Sequence, residues 1–330
     1  MYVRLTGHFE IVRADGRKIS FTTWNSVEIE LDMFKINSSC VIRIPASARL
    51  QAKGTKGGES VQSAKQFNRG DKITVKLGYN NQLETEFTGY ISRVNFTSPC
   101  EIECEGFEFL LRSPCETKTW KQTNMKEVIQ YIIKDTPIEL SDEIPDVNFT
   151  KFVIPANMTK LEALQMVKDK YGMTIFFDGS LLYAGLAYVP DKGTVKYKLG
   201  WNTIKDNDLK YRNAEDVSLK IKAVWIKPDN TKLEAEVGDP KGSLRTLFFY
   251  NVSSKSELEK LAKEEIQKYK YSGYEGKITT FLQPFVKPGM KGKLQDPRYE
   301  ERHGTYYITK VKTKADRNGG RRTVDFTLKL

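Results

Sequence analysis

The residues of this sequence best suited to chemistry are three glutamates that alternate along one short segment. Glu101, Glu103 and Glu105 are spaced two apart and would share one face of a β-strand. Two carboxylates are enough for glycoside hydrolysis, in which one supplies a proton and the other acts as base or nucleophile. Carboxylates on a strand face are mostly exposed to water, so we favour a solvated surface here over a catalytic pair.

Other catalytic signals are missing from the sequence. There are only two histidines, His8 and His303, one near each end of the chain. No Gly-x-Ser-x-Gly or His-Glu-x-x-His motif occurs, and no glycine-rich dinucleotide loop follows a strand. The glycine-rich run at 54–60 lacks the Gly-Lys-Ser/Thr ending with which a phosphate loop binds phosphate and magnesium. We therefore predict no catalytic residues and no enzymatic activity.

The four cysteines do not form a recognisable metal site. Cys40, Cys100, Cys104 and Cys115 lack the CxxC spacing and the nearby histidines of zinc ligands. Free cysteine is among the most buried residue types, and it stays reduced in the cytoplasm. We expect buried, reduced thiols, no bound metal and no cofactor.

Composition describes an ordinary folded protein with a basic surface. The chain has 330 residues and a formal net charge of +11, with 39% apolar and 29% charged residues. That length suits two or three domains. No run of apolar residues is long enough to cross a membrane and the start lacks an apolar leader, so we expect assembly in the cytoplasm without stable membrane insertion. The charge allows a nucleic acid or an acidic protein as partner, although scattered lysines are typical of a solvated surface.

A pair of β-strands that occurs twice in the chain sets its organisation. The first copy runs from Arg69-Gly-Asp-Lys72 to Gly89-Tyr-Ile-Ser-Arg-Val94, and the second from Pro288-Gly-Met-Lys291 to Tyr307-Ile-Thr-Lys-Val311. Internal repeats define architecture, so we predict a duplicated β-module. The repeat signature consists of Gly70, Asp71, Lys72, Gly89, Ile91 and Val94 in the first copy and of Gly289, Lys291, Ile308 and Val311 in the second.

The two copies share an irregularity in their spacing. Ile91 and Val94 are three residues apart, and so are Ile308 and Val311. A regular strand would place the members of each pair on opposite faces. A β-bulge or sharp bend between them would return both to the core, so we predict one at the same point of each copy.

The material between the repeats differs from them. Residues 114–205 contain two capped helix patterns and a strand–turn–strand run, which indicate a small α+β domain. The β-rich flanks, 1–113 and 206–330, indicate two duplicated β-barrel domains, so the predicted fold class is mainly β with an α+β insert. Residues 46–63 are small, polar and glycine-rich, which predicts a long flexible insertion.

Together these features resemble the late control protein D family of phages, the baseplate hub family of contractile tails, which is similar to the hub part of type VI secretion spike proteins. Arg69-Gly-Asp-Lys72, Gly89-Tyr-Ile91 and the capped helix before Gly273 carry the resemblance. In that family the two modules are tube-type barrels, and three chains form a ring in which six similar barrels give pseudo-six-fold symmetry. The resemblance implies a structural, non-enzymatic hub that joins a hexameric tail tube to a trimeric spike.

The resemblance also implies partners and a location. The expected partners are two further copies of the chain, a tail tube protein, a spike protein and a tape-measure protein, with DNA only as cargo in the lumen. The expected location is the virion tail or a related injection particle. Tyr90, Arg93, Tyr307 and Lys310 are the candidate interface residues. Two alternatives stay open: a tail-associated peptidoglycan hydrolase that uses carboxylates, and a β-barrel protein that binds nucleic acid.

Overall fold

A computed structural model describes residues 3–51, 58–188, 190–206, 208–250 and 252–330. The N-terminal third is almost entirely β, with short 3₁₀ turns at Ser63–Gln66 and Phe107–Arg112. Its strands are β1 (Leu5–Val12), β2 (Lys18–Phe21), β3 (Ser26–Asp32), β4 (Ser39–Ile44), β5 (Ser47–Leu50), β6 (Glu59–Gln62), β7 (Lys72–Tyr79), β8 (Gln82–Asn95) and β9 (Cys100–Glu105).

Seven of these strands form one curled sheet, which we call the first β-module. The strand order is β3-β4-β9-β8-β7-β1-β2. Apolar residues alternate with polar ones along each strand, so one face of every strand points into a shared core. The core includes Phe9, Ile29, Ile42, Val75 and Ile102, all at most 2% exposed.

The prediction of a flexible insertion at residues 46–63 was wrong for the described part of this segment, which forms a β-hairpin. Strands β5 and β6 pair antiparallel, from Ser47 opposite Gln62 to Leu50 opposite Glu59. The Ser63 backbone N–H also donates to the Ala46 carbonyl across the base of this hairpin. The glycine-rich tip that motivated the prediction, residues 52–57, lies outside the described residues.

The middle of the chain mixes short strands with two helices. The predicted caps are present: the Asn124 side chain accepts from the Glu127 N–H, and Thr159 and Glu162 form a reciprocal capping box. Gly172 ends the second helix in the left-handed region, at φ 60°. The elements are β10 (Lys118–Trp120), β11 (Thr123–Asn124), α1 (Met125–Ile133), β12 (Glu139–Leu140), β13 (Asn148–Phe149), β14 (Phe152–Ile154), α2 (Lys160–Tyr171), β15 (Thr174–Asp178) and β16 (Leu181–Gly185).

The C-terminal part contains two sheets and one helix. Short 3₁₀ turns occur at Ala214–Asp216 and Glu300–Arg302. The elements are β17 (Thr194–Lys198), β18 (Thr203–Lys205), β19 (Leu209–Arg212), β20 (Leu219–Ile226), β21 (Lys232–Gly238), β22 (Ser243–Phe249), α3 (Lys255–Tyr269), β23 (Gly273–Thr280), β24 (Lys291–Gln295), β25 (Gly304–Asp316) and β26 (Gly319–Lys329).

A second β-module is built from β17–β19 and β23–β26. In space β17 lies beside β24, followed by β25, β26 and β23, and both β18 and β19 pair with the far edge of β23. Val195 and Tyr197 of β17 are buried in one core with Leu294, Ile308 and residues of the neighbouring strands. The predicted boundary between residues 205 and 206 therefore needs correction, because it separates β17 and β18 from the module whose sheet they complete. The remaining division of the chain stays a proposal.

Strands β20, β21 and β22 form a separate three-stranded sheet, although sequence analysis placed them in the second barrel. Strand β20 is central, antiparallel to β21 and parallel to β22. Its Val224 and Ile226 pack on the helical core of α1 and α2. Leu219 and Ile221 pack with α3 on another core. This sheet thus joins the middle of the chain to the second β-module.

The predicted fold class is confirmed, since the protein is mainly β with a few small helices. All four cysteines are free and buried, as expected. Within the described ranges, no helix is long and apolar enough to span a bilayer.

One buried carboxyl group ties the 3₁₀ turn after β9 to the first β-module. Glu108 is fully buried, and its Oε1 accepts hydrogen bonds from the backbone N–H groups of Ser38 and Gly106 at 2.7 and 2.9 Å. Its Oε2 has no hydrogen-bond partner among the residues that the structure describes. Burial raises the pKa of Glu108 from 4.5 to about 7, although the backbone hydrogen bonds lower it.

We expect Glu108→Gln to remove a pH-dependent cost to stability. Because the folded-state pKa lies above 4.5, ionisation of Glu108 costs stability as pH rises from 4.5 to 7, and the loss persists above pH 7. The variant should match the wild type below pH 4.5 and exceed it at pH 8 by on the order of 3 kcal/mol. Urea denaturation at both pH values measures this, with the exposed Glu84→Gln as control; an equal difference at both pH values would contradict the assignment.

Candidate interaction surface

The two copies of the repeat signature adopt the same backbone arrangement. Gly70 and Gly289 both lie at positive φ, 93° and 91°, where an L-side chain would be strained. The Gly70 N–H donates to the Ile91 carbonyl at 2.8 Å, and the Gly289 N–H donates to the Ile308 carbonyl at 2.9 Å. Each isoleucine returns its own N–H to the residue after the glycine, Asp71 in one case and Met290 in the other. The two copies are therefore equivalent in backbone geometry as well as in amino-acid sequence.

The predicted bulges are present in both copies. The pairing of β8 with β9 shifts between Ile91 and Arg93, and the pairing of β25 with β26 shifts between Ile308 and Lys310. The extra residue returns the alternation to its original face, so Ile308 and Val311 are both buried. Val94, the counterpart of Val311, is half-buried and packs against the first core.

In each copy of the repeat a glycine faces a large side chain on the neighbouring strand, but the glycine lies on the second strand in one copy and on the first strand in the other. In the first module Ile73 lies opposite Gly89, and a Cβ on Gly89 would come within 2.1 Å of the Glu105 carbonyl oxygen. In the second module Gly292 lies opposite Tyr306. Each facing pair thus combines one large residue and one glycine. The large residue lies on β7 in the first module and on β25 in the second.

Strand β3 of the first module pairs with β25 of the second, and this contact makes the two modules one sheet of 14 strands. The antiparallel ladder runs from Lys310 opposite Asp32 to Asp316 opposite Ser26. The Met33 N–H extends it by donating to the Thr309 carbonyl at 3.0 Å. We call this contact the intrachain junction.

Charges on the two strands of the junction are complementary. The Lys310 ammonium group lies 2.6 Å from the Glu30 carboxylate and 3.7 Å from Asp32. Lys312 faces Glu30 at 3.6 Å, and Lys314 faces Glu28 at 3.4 Å. The hydrogen bond from Lys310 lowers the pKa of Glu30 to about 2, so this carboxylate stabilises the fold above pH 4.5 and loses that contribution as pH falls towards 2.

A buried ion pair joins the modules near the junction. Arg322 of β26 is 0% exposed and donates to the carboxylate of Glu86 on β8. Arg322 also donates to the carbonyls of Leu282 and Pro284, while Thr313 donates to Glu86 at 3.3 Å. A buried charge pair is tolerated only when most of its remaining donors and acceptors are satisfied, as they are here.

Sequence analysis missed both members of this pair. Glu86 is the extra residue of a second bulge, where the pairing of β7 with β8 shifts between Val75 and Lys76, and the bulge turns its side chain inward. Arg322 has a visible signal, since it lies on the same strand face as Val324 and Phe326. An arginine at an inward position of an alternating strand indicates a buried partner.

Each module also has an edge that is unpaired within the described part of the chain. On β8, the edge that pairs with β7 has no strand beside it after Ile91. This is the edge that corresponds to the part of β25 covered by β3. At the other end of the sheet, β18 and β19 pair with β23 on one side only. An unpaired edge offers free N–H and C=O groups to another strand.

The four predicted interface residues occupy different environments. The prediction that Tyr307 lies at an interface needs correction. Tyr307 is 1% exposed and its hydroxyl donates to the Pro190 carbonyl at 2.6 Å, so it belongs to the core. Tyr90 packs on Phe107 and Phe109 of the 3₁₀ turn after β9 and contacts the core that contains α1 and α2. Lys310 lies at the intrachain junction. Arg93 is two-thirds exposed on the open edge of β8, where it pairs with Glu103.

The remaining members of the repeat signature serve turns and cores. Asp71 is buried, and its carboxylate accepts from the Asn68 N–H at 2.9 Å. Lys72 lies 5.5 Å from the centre of the Phe107 ring. Lys291 pairs with Asp191 at 2.6 Å. These contacts fix the ends of the paired strands and leave the open edges to other residues.

The three alternating glutamates are each bound to an arginine. Glu101 lies 2.6 Å from Arg43, and Glu103 and Glu105 each lie 2.7 Å from Arg93 and Arg112, respectively. All three are partly exposed on the outer face of β9. The arrangement gives no support to their use as a hydrolytic pair.

No family model and no curated protein matches the sequence. Among solved structures, a tail protein from Neisseria meningitidis MC58 aligns over 98% of this chain and 96% of its own, with a TM-score of 0.61 and 13% identity. The 43 kDa tail protein of prophage MuSo2 from Shewanella oneidensis aligns over 97% of both chains, with a TM-score of 0.61 and 14% identity. A type VI secretion component from Escherichia coli aligns over 93% of this chain and 73% of its own, with a TM-score of 0.56 and 10% identity. The chain therefore has the fold of these tail and secretion proteins, the fold that the resemblance implies.

Breaking the buried ion pair should strongly destabilise the protein. Arg322→Met leaves Glu86 buried without its cation, and we expect a loss of about 3–5 kcal/mol in the free energy of unfolding. The double variant Glu86→Leu/Arg322→Met should recover part of that loss, because neither charge stays buried. Denaturant titration measures both. Arg17→Met, at the exposed ion pair with Asp15, is the control, with an expected change within about 1 kcal/mol. A loss of under 1 kcal/mol for Arg322→Met would contradict the role of the pair.

Reversing the charges across the junction should reveal a favourable coupling. Glu30→Lys places a cation beside Lys310, and Lys310→Glu places an anion beside Glu30 and Asp32, so each should destabilise the fold. In the double variant the two charges attract again, and a double-mutant cycle should give a coupling of roughly 1–2 kcal/mol. The coupling should shrink at 1 M salt, since screening weakens partly exposed pairs. Strictly additive effects would show that the contact contributes nothing.

Proposed function

We propose that this chain is a structural tail hub that assembles as a homotrimeric ring and joins a hexameric tail tube to a trimeric spike. The observation that carries the proposal is the head-to-tail contact between two equivalent modules. Strand β3 of one module pairs with β25 of the other, and among the described residues each module leaves the complementary kind of edge unpaired. A heterologous contact of this kind closes into a ring when its rotation divides a full turn.

Duplication gives a physical reason for such a ring. A trimer has only three-fold symmetry, but three chains with two equivalent modules each present six similar units. A hexameric tube could then bind one face while a trimeric spike binds the other. The similarity of the fold to phage tail proteins over nearly the whole of both chains supports this role.

The partners follow from the same proposal. They are two further copies of the chain, a tube protein, a spike protein and a tape-measure protein, with DNA passing as cargo, and the particle is a virion tail or a related injection machine. Assembly would precede release from the bacterial cytoplasm. The proposal includes no enzymatic activity, and the pairing of each candidate glutamate with an arginine is in accord with that.

Mass and shape in solution test the proposal together. Light scattering of the purified protein over a range of concentrations should give the mass of three chains of 37.8 kDa each. Averaged electron-microscope images should show a ring of six lobes. A monomer at every concentration, or a ring of another number, would contradict the ring. A peptidoglycan zymogram is the parallel control, and a cleared band would contradict the absence of enzymatic activity.

A further inference from the structure

The two open edges can be aligned by following equivalent strands through each module. Ile91 and Ile308 occupy equivalent places before the bulges, and they lie opposite Cys104 and Phe326. On the next strand, Cys40 of β4 lies opposite Cys104, and Gly276 of β23 lies opposite Phe326. Cys40 and Gly276 are therefore equivalent.

One further strand completes the alignment. Cys40 lies opposite Ile29 of β3, and Gly276 lies opposite Leu209 of β19. Strand β19 thus occupies in the second module the place that β3 occupies in the first. Lys210 then stands where Glu30 stands.

The partner edge aligns in the same way. Val94 and Val311 lie opposite Ile102 and Val324, respectively. Strand β8 ends at Asn95, so Phe96 is the first residue beyond it. Counting on from these valines brings Phe96 to the place of Thr313.

Phe96 is the residue for which this equivalence has the clearest consequence. Thr313 is 1% exposed because it lies opposite Ile29 inside the junction. Phe96 is 73% exposed, and no strand covers it among the described residues. The other open edge carries an exposed apolar side chain on β18, Ile204 at 42%, and Trp201, two residues before that strand, is 81% exposed. Large aromatic side chains exposed at unpaired edges are typical of contact surfaces.

We propose that the segment Arg93–Phe96 pairs antiparallel with β19 of a second copy of this chain, in the register of the intrachain junction. Phe96 then lies opposite Leu209, and Asn95 lies opposite Lys210. The proposal rests on the proposed ring and specifies the edges and the register by which neighbouring chains meet.

Charge distinguishes this contact from the intrachain junction. Strand β3 presents Glu28, Glu30 and Asp32 to three lysines of β25. In the equivalent places of the second module, Asp208 keeps the acid of Glu28, whereas Lys210 and Arg212 on β19 are cations.

Against β25, Lys210 and Arg212 would face two lysines, Lys312 and Lys310, whereas against β8 they face Asn95 and Arg93. The edge of β8 is therefore the less repulsive partner for β19, which favours alternation of the two modules around a ring. Salt should favour the contact between chains, since it screens Arg93 from Arg212.

Disulfide trapping tests the register directly. Facing residues of an antiparallel ladder have Cα atoms within the range that a disulfide bridges. Asn95→Cys/Lys210→Cys should give covalent dimers and trimers on a non-reducing gel after mild oxidation. Asn95→Cys/Lys126→Cys is the matched control, because Lys126 is exposed on α1, away from both edges, and it should give no more than background. The four native cysteines are buried and stay in both proteins.

A second variant tests the role of Phe96. Phe96→Asp should raise the concentration needed for association at least tenfold, while Leu244→Asp, at a 58% exposed residue of β22, should leave it unchanged. A three-chain mass without the disulfide, and without an effect of Phe96→Asp, overturns this inference and leaves the ring standing. A monomeric mass without the disulfide overturns both. The disulfide in a protein that stops at two chains supports the edge contact and overturns the three-chain ring.

Discussion

The ladder between β3 and β25 is the contact on which the rest of the structure depends. It satisfies the backbone groups of two strands that would otherwise be sheet edges. It also brings together groups of opposite charge from the two modules: the lysines of β25 with the acids of β3, and Arg322 with Glu86. The middle of the chain is attached around this frame, for example where Asp178 of β15 binds Lys287 of the second module at 3.1 Å.

The two modules resemble each other in backbone arrangement more than in their side chains. The same glycine turn and the same bulge occur in both, but the residues around them differ, and β1 pairs antiparallel with β7 whereas β17 pairs parallel with β24. Ile73 with Gly89 and Gly292 with Tyr306 fill the same space from opposite strands, so moving one residue to its counterpart would create a clash or a cavity. Two copies that share a backbone plan while their contacts diverge can bind different neighbours on otherwise similar surfaces.

Sequence analysis succeeded where the information was local. The capped starts of α1 and α2 depend on residues three positions apart, and the bulge depends on the spacing of Ile91 and Val94, repeated at Ile308 and Val311. It failed where partners are distant. Strand β17 pairs parallel with β24, and its alternation does not show which module it joins. Tyr307 was predicted to lie at an interface, and the residues that bury it instead, Pro190 and Tyr188, belong to a loop more than a hundred residues earlier.

The junction also has a consequence for synthesis on the ribosome. Glu30 and Lys310 are separated by 280 residues, so β3 emerges long before the strand that covers it. At a typical rate of about 5–20 residues per second, the nascent chain carries an open strand edge for tens of seconds. Glu28, Glu30 and Asp32 place carboxylates along that edge and oppose its pairing with other nascent copies, which carry the same acids. Before they bind Lys310, these acids therefore disfavour pairing between the open edges of nascent chains.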